Sequence, residues 1–142
     1  MRAYLDTSFL VSLYSPDANS AAAARAMHAS KGESLISTLC ELEAANALEL
    51  RVFRKEISDA QARASATAFE KDLRDGVFQL HPLTDEALEK ARQLSRQHTA
   101  HLGIRTADLL HIAPALTLRA DHLYTFDQQQ RELAQRVGLK LN

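Results

Sequence analysis

A chain of 142 residues with 46% hydrophobic and 25% charged residues has the composition of one ordinary globular domain, which excludes wholesale disorder. Its one cysteine, Cys40, excludes a disulfide framework and any zinc site built from paired cysteines, and a reducing compartment is the natural reading. A net charge of −1 lacks the basic signature of a typical nucleic-acid binder.

The chain opens on a short β-like run, Arg2-Ala3-Tyr4-Leu5, closed by Asp6. That acid interrupts the apolar start, so no signal peptide is visible, and no stretch approaches the roughly 18–20 apolar residues of a membrane span. Further strands are expected at 33–37, 77–81, 122–126 and 139–141, with helices at 8–14, 18–30, 38–54, 58–74, 84–101, 106–118 and 128–137. Gly32, Gly76 and Gly138 each stand between a helical pattern and a strand, where a left-handed residue can end the helix. Thr38 to Glu41 and Ser58 to Gln61 read as capping boxes, Thr84 as an N-cap, and Thr106 as the cap of the helix that carries Asp108. Pro114, inside that same pattern, predicts a kink or a restart. The aliphatic faces of helices 38–54 and 58–74 are expected to be mostly core. Alternating strands and helices predict one α/β domain over residues 1–142, cytoplasmic, with a parallel sheet covered on both faces.

Ligands of such sheets bind outside the carboxyl ends of the strands, so the residues there bear on function. Asp6 follows the first strand and Asp127 the fourth; either alone reads as an N-cap. Asp108 lies among apolar neighbours, where a carboxylate costs several kcal/mol unless paired, capped or metal-bound. Glu41 is explained by the Thr38 box, whereas Glu43 is not, which makes Glu43 the better candidate, with Glu41 still open. Four carboxylates converging on one rim ionise cheaply only around a cation, and oxygen-only ligands suit Mg²⁺ or Mn²⁺. Such a site supports phosphoryl-transfer chemistry. His111, one turn beyond Asp108, reads first as a hydrogen-bonded core histidine, with orientation of Asp108 or of a substrate phosphate as the alternative. Arg105 is suited equally to a phosphate and to a neighbouring acid. No glycine-rich phosphate loop is present, and Cys40 reads as a small buried residue.

Leu5-Asp6-Thr7-Ser8, Glu43-Ala44-Ala45-Asn46-Ala47-Leu48, Asp108-Leu109-Leu110-His111-Ile112-Ala113 and Thr125-Phe126-Asp127 stand in the order and spacing of the PIN domain. Over essentially the whole chain the sequence resembles the VapC-like toxins of toxin–antitoxin pairs. The resemblance implies a three-layer α/β/α sandwich around a parallel sheet of about five strands. It implies a Mg²⁺- or Mn²⁺-dependent endoribonuclease whose metal-binding acids are Asp6, Glu43, Asp108 and Asp127. Thr7, Ser8 and Thr125 match the family's small polar positions. A homodimer, an RNA substrate and a small antitoxin whose tail covers the cleft are also implied. Setting those four acids aside turns a net charge of −1 into +3, which predicts weak, salt-sensitive RNA affinity. Alternatives are a non-catalytic PIN-like scaffold that binds RNA or protein, and an acidic-pocket phosphohydrolase. The latter wants a second Asp where Ser8 stands.

Overall fold

The computed structural model describes all residues, Met1–Asn142. The strands are β1 (Arg2–Leu5), β2 (Glu33–Ser37), β3 (Gln79–His81), β4 (His122–Tyr124) and β5 (Lys140–Leu141). They form one parallel sheet in the order β3-β2-β1-β4-β5. The helices are α1 (Thr7–Tyr14), α2 (Ser20–Ala29), α3 (Thr38–Phe53), α4 (Asp59–Arg74), α5 (Asp85–Leu94), the single turn α6 (Ala100–Leu102), α7 (Thr106–Thr117) and α8 (Gln128–Arg136). α1 to α4 pack among themselves, as do α5, α7 and α8, with the sheet between the two sets. No helix is long and apolar enough to cross a membrane.

β1 is the central strand, and Ala3, Tyr4 and Leu5 have no exposed surface. A parallel strand covered on both faces must be apolar throughout, as this one is until Asp6. The chain first builds outward from β1 to β2 and β3, then crosses back to place β4 on the other side of β1. Strand order therefore reverses between β1 and β4, and a crevice opens there at the carboxyl ends of the strands.

Several local expectations fail for physical reasons. β4 ends at Tyr124 rather than Phe126, because the next N–H, that of Thr125, turns to the Asn142 side chain. The strand expected at 77–81 is shortened to Gln79–His81, and that at 139–141 to Lys140–Leu141. α3 begins one residue earlier than a Thr38 cap requires: Ser37 is the N-cap, and the Thr38 hydroxyl accepts from the Leu83 N–H instead. The Thr38–Glu41 box is thus not formed. The Ser58–Gln61 box and the Thr84 cap do form. Thr106 is the first helical residue of α7, not its cap. Pro114 lies within a continuous α7, without the restart. The segment expected as one helix at 84–101 is α5, a π-helical turn at Ser95–Thr99 and α6, ended by Gly103 with φ of 64°. Gly32 is required by close approach rather than by a left-handed turn: a Cβ there would stand 1.8 Å from the Met1 carbonyl oxygen. Leu42 and Leu50, on the aliphatic face of helix 38–54 expected to be mostly core, are exposed, as is Phe53 by 83%.

Candidate active site

Asp6 is the first residue beyond β1 and the N-cap of α1. Its extended backbone (φ −82°, ψ 175°) turns the carboxylate over the helix start, where it accepts from the Phe9 N–H at 2.9 Å. The Ser8 hydroxyl bonds both its oxygens (2.8 and 2.9 Å), and the Thr125 hydroxyl donates to Oδ2 at 2.6 Å. Asp6 is only 1% exposed. Burial pushes its carboxyl above the usual range, against the opposing pull of His111 and of these hydrogen bonds. Three donors and the pull of His111 together do not offset the burial of this carboxylate.

Asp127 caps α8, accepting from the Gln130 N–H at 3.0 Å. This cap lacks the return bond that would complete a capping box. The Asp127 N–H donates to Thr125 Oγ1 at 3.0 Å, so the Gln130 side chain is released to donate to Asp108 Oδ1 at 3.3 Å. Gln130 is a site residue that sequence reasoning missed, since its position three beyond an N-cap explained it fully as capping. Its buried Oε1 has no partner. Asp108, in the first turn of α7 and 2% exposed, receives Arg105 Nε at 3.3 Å on Oδ2. Arg105 Nη2 also reaches Asp127 Oδ2 at 3.4 Å, so this guanidinium spans two of the acids. Of its two sequence-level roles, the structure displays acid pairing.

Glu43 projects from α3 with its side chain 32% exposed. Thr7 donates its hydroxyl to Oε1 at 2.8 Å, and His111 Nε2 lies 2.6 Å from the same oxygen. The bond from His111, helped by Thr7 and opposed by burial, holds the Glu43 carboxyl below its ordinary value. His111 therefore contacts Glu43, not Asp108. Burial disfavours its charged form, but bonding to Cys40 and Glu43 outweighs that and raises its pKa. Behind it, Tyr4 Oη stands 3.4 Å and Cys40 Sγ 3.6 Å from Nδ1. Tyr4 donates to Ser37 Oγ at 2.9 Å and Cys40 to the Leu5 carbonyl at 3.2 Å. This buried polar group gave no signal in sequence, because its members come from three separated segments.

Asp6, Thr7, Ser8, Glu43, Arg105, Asp108, His111, Asp127 and Gln130 line one cleft of about 280 Å³ at the β1/β4 crevice. Glu41 faces elsewhere, into an apolar groove between α1, α3 and α4 beside Leu10, Tyr14 and Phe69. Two residues along a helix are roughly 200° of rotation, so only one of the two glutamates can face the cleft.

The PIN-domain family profile matches residues 3–136. The chain belongs to the PIN-domain family. No curated protein matches it in sequence. Among solved structures, this PIN domain is similar to Mycobacterium tuberculosis VapC20, described as a toxin that cleaves the sarcin–ricin loop, with 20% identity, a TM-score of 0.71 and coverage of 92% of this chain and 93% of that one. It is also similar to a chain of VapBC2 from Rickettsia felis bound to a promoter DNA fragment, at 17% identity and TM-score 0.66, covering 100% and 98%. A chain of the Neisseria gonorrhoeae FitAcB structure matches at 16% identity and TM-score 0.67, covering 98% and 95%. At such identities the likeness is one of fold.

The cleft of this PIN domain offers the donor chemistry of the divalent ion that the family implies. The four acids supply only oxygen, the chemistry that Mg²⁺ and Mn²⁺ take. Asp6 is buried and forms no direct ion pair, and Arg105 places positive charge between Asp108 and Asp127. Both observations fit a site that calls for a cation. No three acids stand preassembled around one point at ligating distance.

Proposed function

We propose that residues 1–142 act as one PIN-type domain, a metal-dependent endoribonuclease that serves as the toxin of a toxin–antitoxin pair. The observation that carries this reading is the meeting of Asp6, Glu43, Asp108 and Asp127, from four separate elements, in one cleft at the β1/β4 crevice. Membership of the PIN family supports ribonuclease chemistry, and the titles of the similar structures support the toxin role and a cognate antitoxin partner.

Asp6, Glu43, Asp108 and Asp127 would hold Mg²⁺ or Mn²⁺, partly through water. Such an ion, when bound, lowers the pKa of a water and offsets charge on the phosphodiester. Asp6 and Asp127 are oriented by helix N-termini, so their placement survives substrate entry. Ser8 and Thr125 fix both oxygens of Asp6. Arg105, 69% exposed at the rim, is free to exchange its acids for a phosphate of the RNA once their charge is met otherwise. The one histidine of the cleft is buried against Glu43 and is not placed to deprotonate a ribose 2′-hydroxyl. Hydrolysis by water breaks the P–O3′ bond and leaves a 5′-phosphate and a 3′-hydroxyl.

The test is incubation of total RNA with protein freed of any partner, in Mg²⁺, Mn²⁺ or EDTA, followed by end-group analysis. Cutting that needs the ion and leaves 5′-phosphates supports the reading; 2′,3′-cyclic phosphate ends overturn it. A non-catalytic RNA- or protein-binding scaffold is the second reading, favoured by the Arg105 bridge across two of the acids. It gains if metal-loaded, folded protein cuts no RNA. A homodimer belongs to the proposal through the resemblance alone.

A further inference from the structure

The four acids of the cleft are not held alike. Asp6 and Asp127 are N-caps, each fixed by a backbone N–H of its own helix, and Asp108 sits in the first turn of α7 between Arg105 and Gln130. Glu43 has neither support. It lies in the sixth position of α3, past the helix start where backbone N–H groups are free to bond a side chain. It is also the longest of the four side chains, with three rotatable bonds to order. What fixes it comes from other elements: the Thr7 hydroxyl on α1 and His111 Nε2 on α7, both on Oε1.

We infer that His111 is the positioning residue for Glu43, holding that carboxylate in the orientation from which it serves the cation. Because a carboxylate only accepts, Nε2 must carry the proton of this bond, which fixes one nitrogen of the ring. Both donors fall on Oε1, so Oε2 is left for the cleft. The other ring nitrogen is braced from behind by Tyr4 and Cys40, and the ring is 2% exposed. A core histidine kept only for packing would have no need of a 2.6 Å bond to a side chain one-third exposed in the cleft. The spacing serves the same end: Asp108 and His111, three apart on α7, share a face, so one helix presents an acid and the strut for a second acid. Outer groups that orient a metal-binding carboxylate typically change metal affinity about 10- to 100-fold when lost.

The inference rests on the metal-dependent reading above, and the experiment separates the two. Mn²⁺ binding to the purified chain is followed by the loss of the free ion's electron paramagnetic resonance signal, a readout independent of RNA cleavage. His111→Gln places an amide N–H near the Nε2 position, whereas His111→Asn offers one only near Nδ1. The expected result is Mn²⁺ affinity within about threefold of the parent for the Gln variant and a loss of about 10- to 100-fold for the Asn variant. In a Glu43→Gln background the two substitutions at His111 should no longer differ, because the group they act through is already gone. Equal Mn²⁺ affinity of the Asn and Gln variants overturns the inference, as does an undiminished difference in the Glu43→Gln background. Should the parent chain bind no Mn²⁺ at all, the metal-dependent reading falls, and this inference with it.

Discussion

Asp6→Asn separates the charge of the buried acid from its structural duty. Asparagine caps a helix as well as aspartate does, so Oδ1 can keep the Phe9 N–H at 2.9 Å and the α1 start survives. The amide nitrogen then faces Thr125 Oγ1, which now donates to Oδ2 at 2.6 Å and must turn its proton toward Ser8 Oγ, 3.4 Å away. Losing one such bond costs about 1 kcal/mol. Against this, the carboxyl's pKa is raised by burial, so above that value its ionisation weakens the fold, a cost the amide does not carry. The metal-free melting temperature of the variant is therefore expected within about 4 °C of the parent. The response to Mn²⁺ should differ sharply. At a free-ion concentration of about 100 times the dissociation constant, binding stabilises the parent by about 2.7 kcal/mol. For a chain of this length that is a rise of roughly 8–11 °C in melting temperature. The variant should show less than about 2 °C under the same conditions, together with loss of RNA cleavage. Differential scanning fluorimetry with and without Mn²⁺ measures both quantities. A variant that keeps the full metal-induced rise would refute the assignment of Asp6 to the cation, and one that unfolds without metal would refute the account of its cap.

Glu41→Gln is expected to leave Mn²⁺ affinity and RNA cleavage at parent levels, since Glu41 lines the apolar groove, whereas Glu43→Gln should reduce both by more than about tenfold; isothermal titration and a cleavage time course read the contrast. Arg105→Ala removes a guanidinium that competes for Asp108 and Asp127, so Mn²⁺ should bind about two- to fivefold more tightly while RNA binding weakens, measured by titration and filter binding. Away from the cleft, Asp17 is partly buried, which alone would raise its pKa, but the bonds from Arg51 at 2.8 Å and Ser12 at 2.9 Å hold it below the ordinary value. A depressed carboxyl stabilises the fold above its unfolded pKa of about 3.9 and loses that contribution as pH falls through the folded value. Asp17→Asn should accordingly lower the urea midpoint at neutral pH and flatten its decline below about pH 4; parallel acid limbs in parent and variant would count against the pairing.

Much of the fold was legible because it rests on local, short-range patterns. The apolar run closed by Asp6, the alternation of strand and helix, and the caps at Ser58 and Thr84 depend on neighbours in sequence, and each is found where it was expected. Element ends were less legible. Whether Ser37 or Thr38 caps α3 turns on the Leu83 N–H, 45 residues on, and the early end of β4 turns on Asn142. Hydropathy likewise cannot say that Leu42 and Phe53 face solvent, because burial belongs to the packed molecule and not to the residue.

The amino-acid sequence by itself determined that the chain is an α/β unit with acids at the ends of its first and fourth strands. It also carried the family resemblance, since ordered motifs survive in sequence even where each is short. Only the tertiary structure decided that Glu43 rather than Glu41 lines the cleft, that Arg105 bridges Asp108 and Asp127, that Gln130 leaves its cap for Asp108, and that His111 reaches Glu43. The physical reason is separation. Helix and strand periodicity fix which way a side chain leaves its own backbone, but the partner it meets, 22 residues away for Gln130 and Asp108 or 68 for His111 and Glu43, is set only when the sheet brings the ends of distant segments to one rim.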